Sequence, residues 1–557
     1  GLLARASRPC AAARGLLRAG PPARGEALTL SAGILQANGK LDEARERFAQ
    51  VRQDFKEAPC LAPALLGLAE CQAALGEDEE SISTYGELIA LLKEAAKQRD
   101  VTVATAAASL MERHADRFAR GDYRAALRYA AVAERAYRGT GGEVPPAVML
   151  ALGASSRRVA EQILSEARNS ERGVLTIDQV SPVTAAEAKK HLLDAGGAYR
   201  EHARAVVVTD NVAYGESLWL AGDCFDQAGD RESAREAFRS YVDGASDDDP
   251  RRPEAKFRLA QVLQAQRQWT GAEGLYRELV EARNRAGAAA SAGIWADRAL
   301  VPLARCLLAD DTKGNDDEAE SLLQSVVDGT MLAPDSLEYR DAVTELGELY
   351  HATGRYAEAI ARLGESLRRH PDGPRAVIVQ YKLADANRLS ADRIARDLTE
   401  SRPAAEREQL AEARGQRLRE AMKLYEQVQQ RLAAKDRRKT TELDRLVQRN
   451  SAFAVADCAY DLGDMAAAIR QYDAAAQRYA GDPASLVAMV QIVNAYVAQG
   501  KWAEAMTAHD RAQRQLASLP ENVWNSPDLP MERKHWERWL ESSSLLEQRR
   551  RARAGVE

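Results

Sequence analysis

Residues 343–371, VTELGELYHATGRYAEAIARLGESLRRHP, constrain the fold more than any other part of the chain. Small and apolar residues recur there at helical spacing on both sides of Gly354, the pattern of helix, tight turn, helix. Leu346, Gly347 and Tyr350 share one face of the first helix. Tyr356, Ala359 and Leu363 lie on the facing side of the second, and Pro371 ends it. Gly347 and Ala359 are small enough to let two helices approach closely, while Tyr350 and Leu363 fill the space beside them. Gly354 accepts the positive φ that a tight interhelical turn requires.

The pattern returns along the chain. Gly222, Phe225, Gly229, Ala234 and Phe238 form one copy. Leu259, Ala260, Leu263, Trp269, Ala272 and Tyr276 form another, with Arg267 where the turn glycine is expected. Ala456, Gly463, Ala468, Tyr472 and Ala475 make a third, and Ile492, Tyr496, Gly500, Trp502, Ala505 and Ala512 a fourth. Near the start, Gly39, Leu41, Ala44 and Phe48 mark one unit, and Leu68, Ala69, Gly76 and Tyr85 the next. Gly121, Tyr123 and Ala126 mark a weaker one, and a degenerate unit runs through Leu303, Ala304, Gly314, Ala319 and Leu323. Cys71, Cys224, Cys306 and Cys458 each stand two places after the small residue of a first helix, where cysteine serves as a small buried hydrophobe.

These residues resemble the tetratricopeptide repeat, an antiparallel helix pair of roughly 34 residues. The resemblance implies an all-α, right-handed α-solenoid, here interrupted by two longer helical units. It implies that first helices line a concave groove that binds an extended or helical peptide. Placed by position, the groove residues are Trp219, Asp223, Phe257, Gln261, Arg298, Arg305, Thr344, Glu348, His351, Phe453, Asp457 and Asn494. Members that clamp a peptide's terminal carboxylates use a Lys/Asn set, whereas Thr344, Glu348, Phe453 and Asp457 occupy the corresponding places here. On three consecutive first helices, Trp219 and Phe257 either anchor an apolar segment of a partner or pack between neighbouring helices, and Arg305 is expected to pair with a partner's carboxylate.

The organisation expected along the chain is a basic, flexible lead-in at 1–26, repeat units at 27–136, and a long helical pair at 147–205. A central array follows at 212–371, an enlarged unit at 375–449, further repeats at 450–518, and a capping helix with a basic tail at 521–557. The chain opens on Gly1 rather than Met, as a fragment or a processed product would. Ser181-Pro182 is expected to cap the second long helix, with Thr184 and Glu187 as an alternative capping box. His535, Trp536, Trp539 and Leu540 are expected to cover the last apolar face of the array.

Catalytic signatures are missing from the sequence. There is no GxxxxGK[ST] phosphate loop, no HExxH zinc helix and no GxSxG elbow. The six cysteines form no CxxC pair and the seven histidines are scattered. No cofactor, no metal and no catalytic residue is therefore expected. With 45% hydrophobic residues the chain folds, and no apolar stretch is long enough to span a membrane. Lys+Arg 77 against Asp+Glu 83 lacks the basic excess of a nucleic-acid binder. The function expected is a protein–protein interaction scaffold or adaptor. The alternatives are a regulatory or substrate-recruiting segment of a larger enzyme, and an RNA-binding helical repeat. The wealth of Arg and Ala suggests a bacterial source, with cytoplasm and cell envelope equally open.

Overall fold

The computed structural model describes residues 21–94, 100–170, 177, 180–283, 290–309, 315–328, 332–399, 402–436, 440–525 and 531–541. The lead-in up to residue 20 with Cys10, the turn residue Gly314, Ser401, Leu529-Pro530 and the arginines at 549–553 lie outside the described residues. The described residues form helices and contain no strand.

The chain divides into two compact units, residues 1–299 and 300–557. The first contains α1 (Pro21–Ala37), α2 (Leu41–Asp54), α3 (Leu61–Leu75), α4 (Asp78–Glu94), α5 (Val103–Ala119), α6 (Tyr123–Gly139), α7 (Pro146–Ser170) and α8 (Pro182–Val206). It continues with α9 (Asn211–Ala228), α10 (Arg231–Gly244), α11 (Arg252–Ala265), α12 (Trp269–Arg283) and α13 (Ala290–Ala309) up to Ala299. The second unit holds the rest of α13, then α14 (Asn315–Val327), α15 (Leu337–Ala352), α16 (Tyr356–Arg369), α17 (Ala376–Asp397) and α18 (Ala404–Ala434). It ends with α19 (Glu442–Asp461), α20 (Met465–Arg478), α21 (Ala484–Ala498), α22 (Trp502–Ser518) and α23 (Arg533–Glu541). From α1 to α12, and again from α14 to α23, each helix packs on the one that follows it in sequence. That nearest-neighbour packing is what makes each unit a repeat stack.

One register runs through the pairs. Positive φ occurs at the turn residues Gly39, Gly76, Gly121, Gly229, Arg267, Gly354, Gly463 and Gly500. Five places later stand Ala44, Ser81, Ala126, Ala234, Ala272, Ala359, Ala468 and Ala505, every one of them 0% exposed. Nine places after the turn a larger side chain enters the core: Phe48, Tyr85, Phe238, Tyr276, Leu363, Tyr472 and His509. The Gly121 unit departs by one place, with Tyr129 buried instead. Seven places before the turn the first helix is small at Ala32, Ala69, Gly222, Ala260, Gly347 and Ala456, and the reason is contact. A Cβ on Gly222 would come within 2.7 Å of the Phe238 ring, and one on Gly347 within 2.7 Å of Leu363. His114 and Val493 take this place in two units. His114 is accommodated by a hydrogen bond between its Nε2 and Ser155 Oγ at 2.9 Å, buried on both sides.

Three second helices begin with aspartate directly after the turn glycine. Asp122, Asp230 and Asp464 each accept a hydrogen bond from the backbone N–H three residues on, satisfying a donor the helix start leaves open. In the longer pair α7 and α8, Ser181 caps Pro182 by accepting from Thr184 N, so the first of the two expected caps is the one used. In α18 the buried residues begin only at Leu418 and continue through Ala421, Leu424, Tyr425, Val428 and Leu432. At the far end, Trp536 and Leu540 are buried in a cluster with Ile492, Ala512, Leu516 and Leu519. Trp539 is 37% exposed with its ring 6.1 Å from that of buried His509, and His535 is exposed.

Candidate partner-binding surface

In the first unit, the residues expected to line a groove fall into two groups. Trp219 is half-buried, its ring set edge-on against Phe238 at 5.6 Å and Tyr241 at 6.0 Å. Phe257 is buried, packed between Tyr276 at 5.7 Å and Trp295 at 5.1 Å. The expectation that Phe257 faces a partner is corrected: it closes the gap between α11, α12 and α13. Asp223 is held by its own chain. It accepts from Arg157 of α7 at 3.3 Å, from Arg258 of α11 at 3.1 Å and from Gln227 at 2.8 Å. Arg258 also reaches Asp226 at 2.9 Å, and burial pushes the Asp226 carboxyl above its ordinary range. Gln261 is exposed, and Arg298 is exposed with its guanidinium 5.0 Å from the Trp295 ring.

In the second unit, the charged residues expected to be open are bonded across successive first helices. Arg305 of α13 donates to Asp341 at 3.0 Å and Glu345 at 2.8 Å, both on α15. Arg375, at the start of α17, donates back to Glu345 at 2.7 Å and also pairs with Glu348. Lys382 of α17 takes the other oxygen of Glu348 at 2.6 Å. One turn along, His351 Nε2 lies 2.9 Å from Asp385, which also receives Arg388 at 2.9 Å and the Tyr425 hydroxyl at 3.1 Å. Burial pushes the Asp385 carboxyl up, but the hydrogen bonds from His351 and Arg388 outweigh it and hold it below the ordinary carboxylate range. The result is a row of alternating sign on the first-helix face: Arg305, Asp341 and Glu345, Arg375, Glu348, Lys382.

The remaining expected site residues are placed individually. Thr344 is buried and bonded to Ser366 Oγ at 2.8 Å, so it is corrected from a groove residue to a tie between α15 and α16. Phe453 is half-buried, 5.8 Å from the Tyr479 ring. Asp457 accepts the Tyr472 hydroxyl at 2.5 Å; burial nevertheless raises its carboxyl above the usual range. Asn494 is exposed and donates to Gln491 at 2.9 Å. Sequence reasoning missed Asp341, Glu345, Arg375, Lys382 and Asp385. Their signal was present as opposite charges about one repeat apart, 30 residues from Glu345 to Arg375 and 34 from Glu348 to Lys382.

The tetratricopeptide repeat model matches residues 29–100, 220–289 and 344–417. The chain carries tetratricopeptide repeats in these three stretches. The register found at Gly39, Gly229 and Gly354 falls inside those three stretches. No curated protein matches the sequence. Among solved structures, one tetratricopeptide repeat protein from Parabacteroides merdae is 12% identical, with 59% of this chain and 98% of that one covered at a TM-score of 0.32. Yeast Tom70 is 12% identical, with 95% and 96% covered at 0.26. The tetratricopeptide domain of P58(IPK) is 14% identical, with 78% and 98% covered at 0.23. Among the described residues of this repeat protein, no helix is long and apolar enough to cross a membrane. No group of three or more His, Cys, Asp or Glu residues is arranged there to hold a metal ion.

Proposed function

We propose that the chain is a non-catalytic scaffold that holds partner polypeptides on the first-helix faces of its repeats. The supporting observation is the row of alternating charge on α15 and α17. Its members are half-buried apart from exposed Arg375, so each pair is worth little net stability, because solvent screening and desolvation offset most of the attraction. Such pairs exchange at low cost. A carboxylate on a partner replaces Glu348 at Lys382 and Arg375, and the released Glu348 receives a partner's cation. The row therefore selects a partner segment with charges of both signs, rather than an acidic peptide end alone.

The test is crosslinking mass spectrometry on the intact chain with whatever partner co-purifies, in the parent and in Lys382→Glu. Crosslinks concentrated on α15 and α17, together with loss of the partner in the variant at unchanged helicity, are expected. A partner retained equally by a folded Lys382→Glu chain, or crosslinked only to residues 404–417, overturns the assignment of this face.

A further inference from the structure

In the first unit a cleft of about 580 Å³ opens where the start of α9, the end of α10 and the loop into α11 meet. Two glycines leave the space. A Cβ on Gly215 would lie 3.6 Å from the Tyr241 ring, and one on Gly244 would lie 3.7 Å from the Tyr214 ring. Those are ordinary contact distances, so a Cβ fits at both places without a clash and extends into the cleft. The buried side chains of Leu218 and Tyr241 line it. On its lip Val212 is 82% exposed. An exposed valine at the mouth of a recess floored by Leu218 and Tyr241 is surface that a partner side chain would cover.

The rim is acidic. Glu216, Asp248 and Asp249 line it against the single cation Arg251. Glu216 is paired with Arg251. Asp249 accepts from the Tyr241 hydroxyl at 2.9 Å and from the Arg251 backbone N–H at 2.8 Å. Asp248 is exposed and has no side-chain partner among the described residues. The mouth thus carries uncompensated negative charge beside an apolar floor.

The Gly347 pair lacks the residues that shape this cleft. Gly215 stands seven places before Gly222, and Tyr241 nineteen after it; the same places around Gly347 hold Arg340 and Ser366. The corresponding recess in the second unit is about 180 Å³ and is lined by Arg340, His370 and Arg375. The apolar, acid-rimmed version is therefore not a requirement of the helix pair.

We propose that the cleft docks a partner polypeptide through one aliphatic or aromatic side chain flanked by lysine or arginine. The apolar side chain fills the space beside Gly215 and Gly244, and the flanking cations meet Asp248 and Asp249. This surface is separate from the charged row on α15 and α17 and does not depend on it.

The experiment uses the full chain and fluorescence polarisation of three labelled short peptides. The first has Leu or Phe between Lys and Arg, the second keeps the apolar residue between Asp and Glu, and the third keeps the cations around Gly. The first is expected to bind about tenfold or more tightly than either other. Gly215→Leu is expected to weaken it about tenfold with helicity and melting intact. Asp248→Lys is expected to weaken it more at low salt than at high salt. Should Gly215→Leu fail to fold, Gly244→Leu on the opposite wall carries the same expectation. Equal binding of the three peptides, no binding of the first, or no effect of a folded blocking variant overturns the proposal. So does loss of binding in Lys382→Glu, which would place the peptide on the charged row instead.

Discussion

Arg267 is the one residue other than glycine with positive φ among the described residues, at 59°, and it occupies the turn place that glycine fills in seven other units. An L side chain in the left-handed region costs ~1–2 kcal/mol, because its Cβ crowds the neighbouring carbonyl. Glycine removes that cost but gives back ~0.4–1 kcal/mol through the greater freedom of the unfolded chain. Arg267 is exposed and makes no ion pair among the described residues, so its side chain has little else to lose. Arg267→Gly is therefore expected to stabilise the turn between α11 and α12 by ~0.5–1 kcal/mol. The converse, Gly229→Arg, isolates the same term. A Cβ there meets nothing within 4 Å, so the substitution is a conformational penalty without a clash, and a loss of similar size is expected. Repeat stacks need not unfold in one step, which makes a global melt a poor readout. Native-state hydrogen exchange of amides that close the two turns is local. Gln268 N–H bonds Leu263 O and Asp230 N–H bonds Phe225 O, each at 2.9 Å. Exchange should slow about two- to fivefold at Gln268 in Arg267→Gly and quicken by a like factor at Asp230 in Gly229→Arg. Faster exchange at Gln268, or no change in either variant, would refute the conformational argument.

Gly347→Ala should destabilise α15 and α16 by ~1–3 kcal/mol through overpacking, since the new Cβ meets both the Leu363 side chain and, at 3.0 Å, its backbone nitrogen. Ala359→Leu should do the same from the other helix, and urea melts that match the parent for both would show that the register is misdrawn. Cys71, Cys224 and Cys458 are buried free thiols, pushed by burial to about 11, 12 and 12. They and buried Cys306 should label slowly with a thiol reagent until denaturant is added, and rapid native labelling would count against their packing role. Burial holds the imidazoles of His114 and His202 below their ordinary value, so the folded state favours the neutral form. Their contribution is complete above ~6.5, the unfolded value, and is lost as pH falls from there to the folded-state value. His202→Gln should flatten that decline in the first unit; an unchanged pH profile would show that the histidine does not titrate in this way.

The helix pairs were legible because their spacing is set by contact. A glycine or alanine at one place and an aromatic sixteen later is a steric requirement, as Gly222 and Phe238 show, so it survives in the residues themselves. The Arg267 unit was legible for the same reason, with Ala272 and Tyr276 keeping the register where the turn glycine was absent. The binding face was less legible. Helical position groups Arg305, Glu348 and His351 with the first helices of their pairs. It could not show that Asp341, Arg375, Lys382 and Asp385 from the neighbouring repeats already satisfy them, because charged pairs tolerate many spacings. Phe257 and Thr344 were misplaced because helix α13 and Ser366 close over them from elements whose packing angle periodicity does not encode.

The late start of burial along α18 has a consequence for how this chain tolerates change. Residues 404–412, ~13 Å of helix at 1.5 Å per residue, contribute nothing to the buried set that begins at Leu418. Selection on the core therefore does not see their number. Whole turns added or removed here, or a foreign domain grafted between Asp397 and Ala404, would leave the register of α17, α18 and α19 as it is. The tip of this hairpin is the place where the gene can drift in length, and where an engineer can fasten a label, without disturbing the stack.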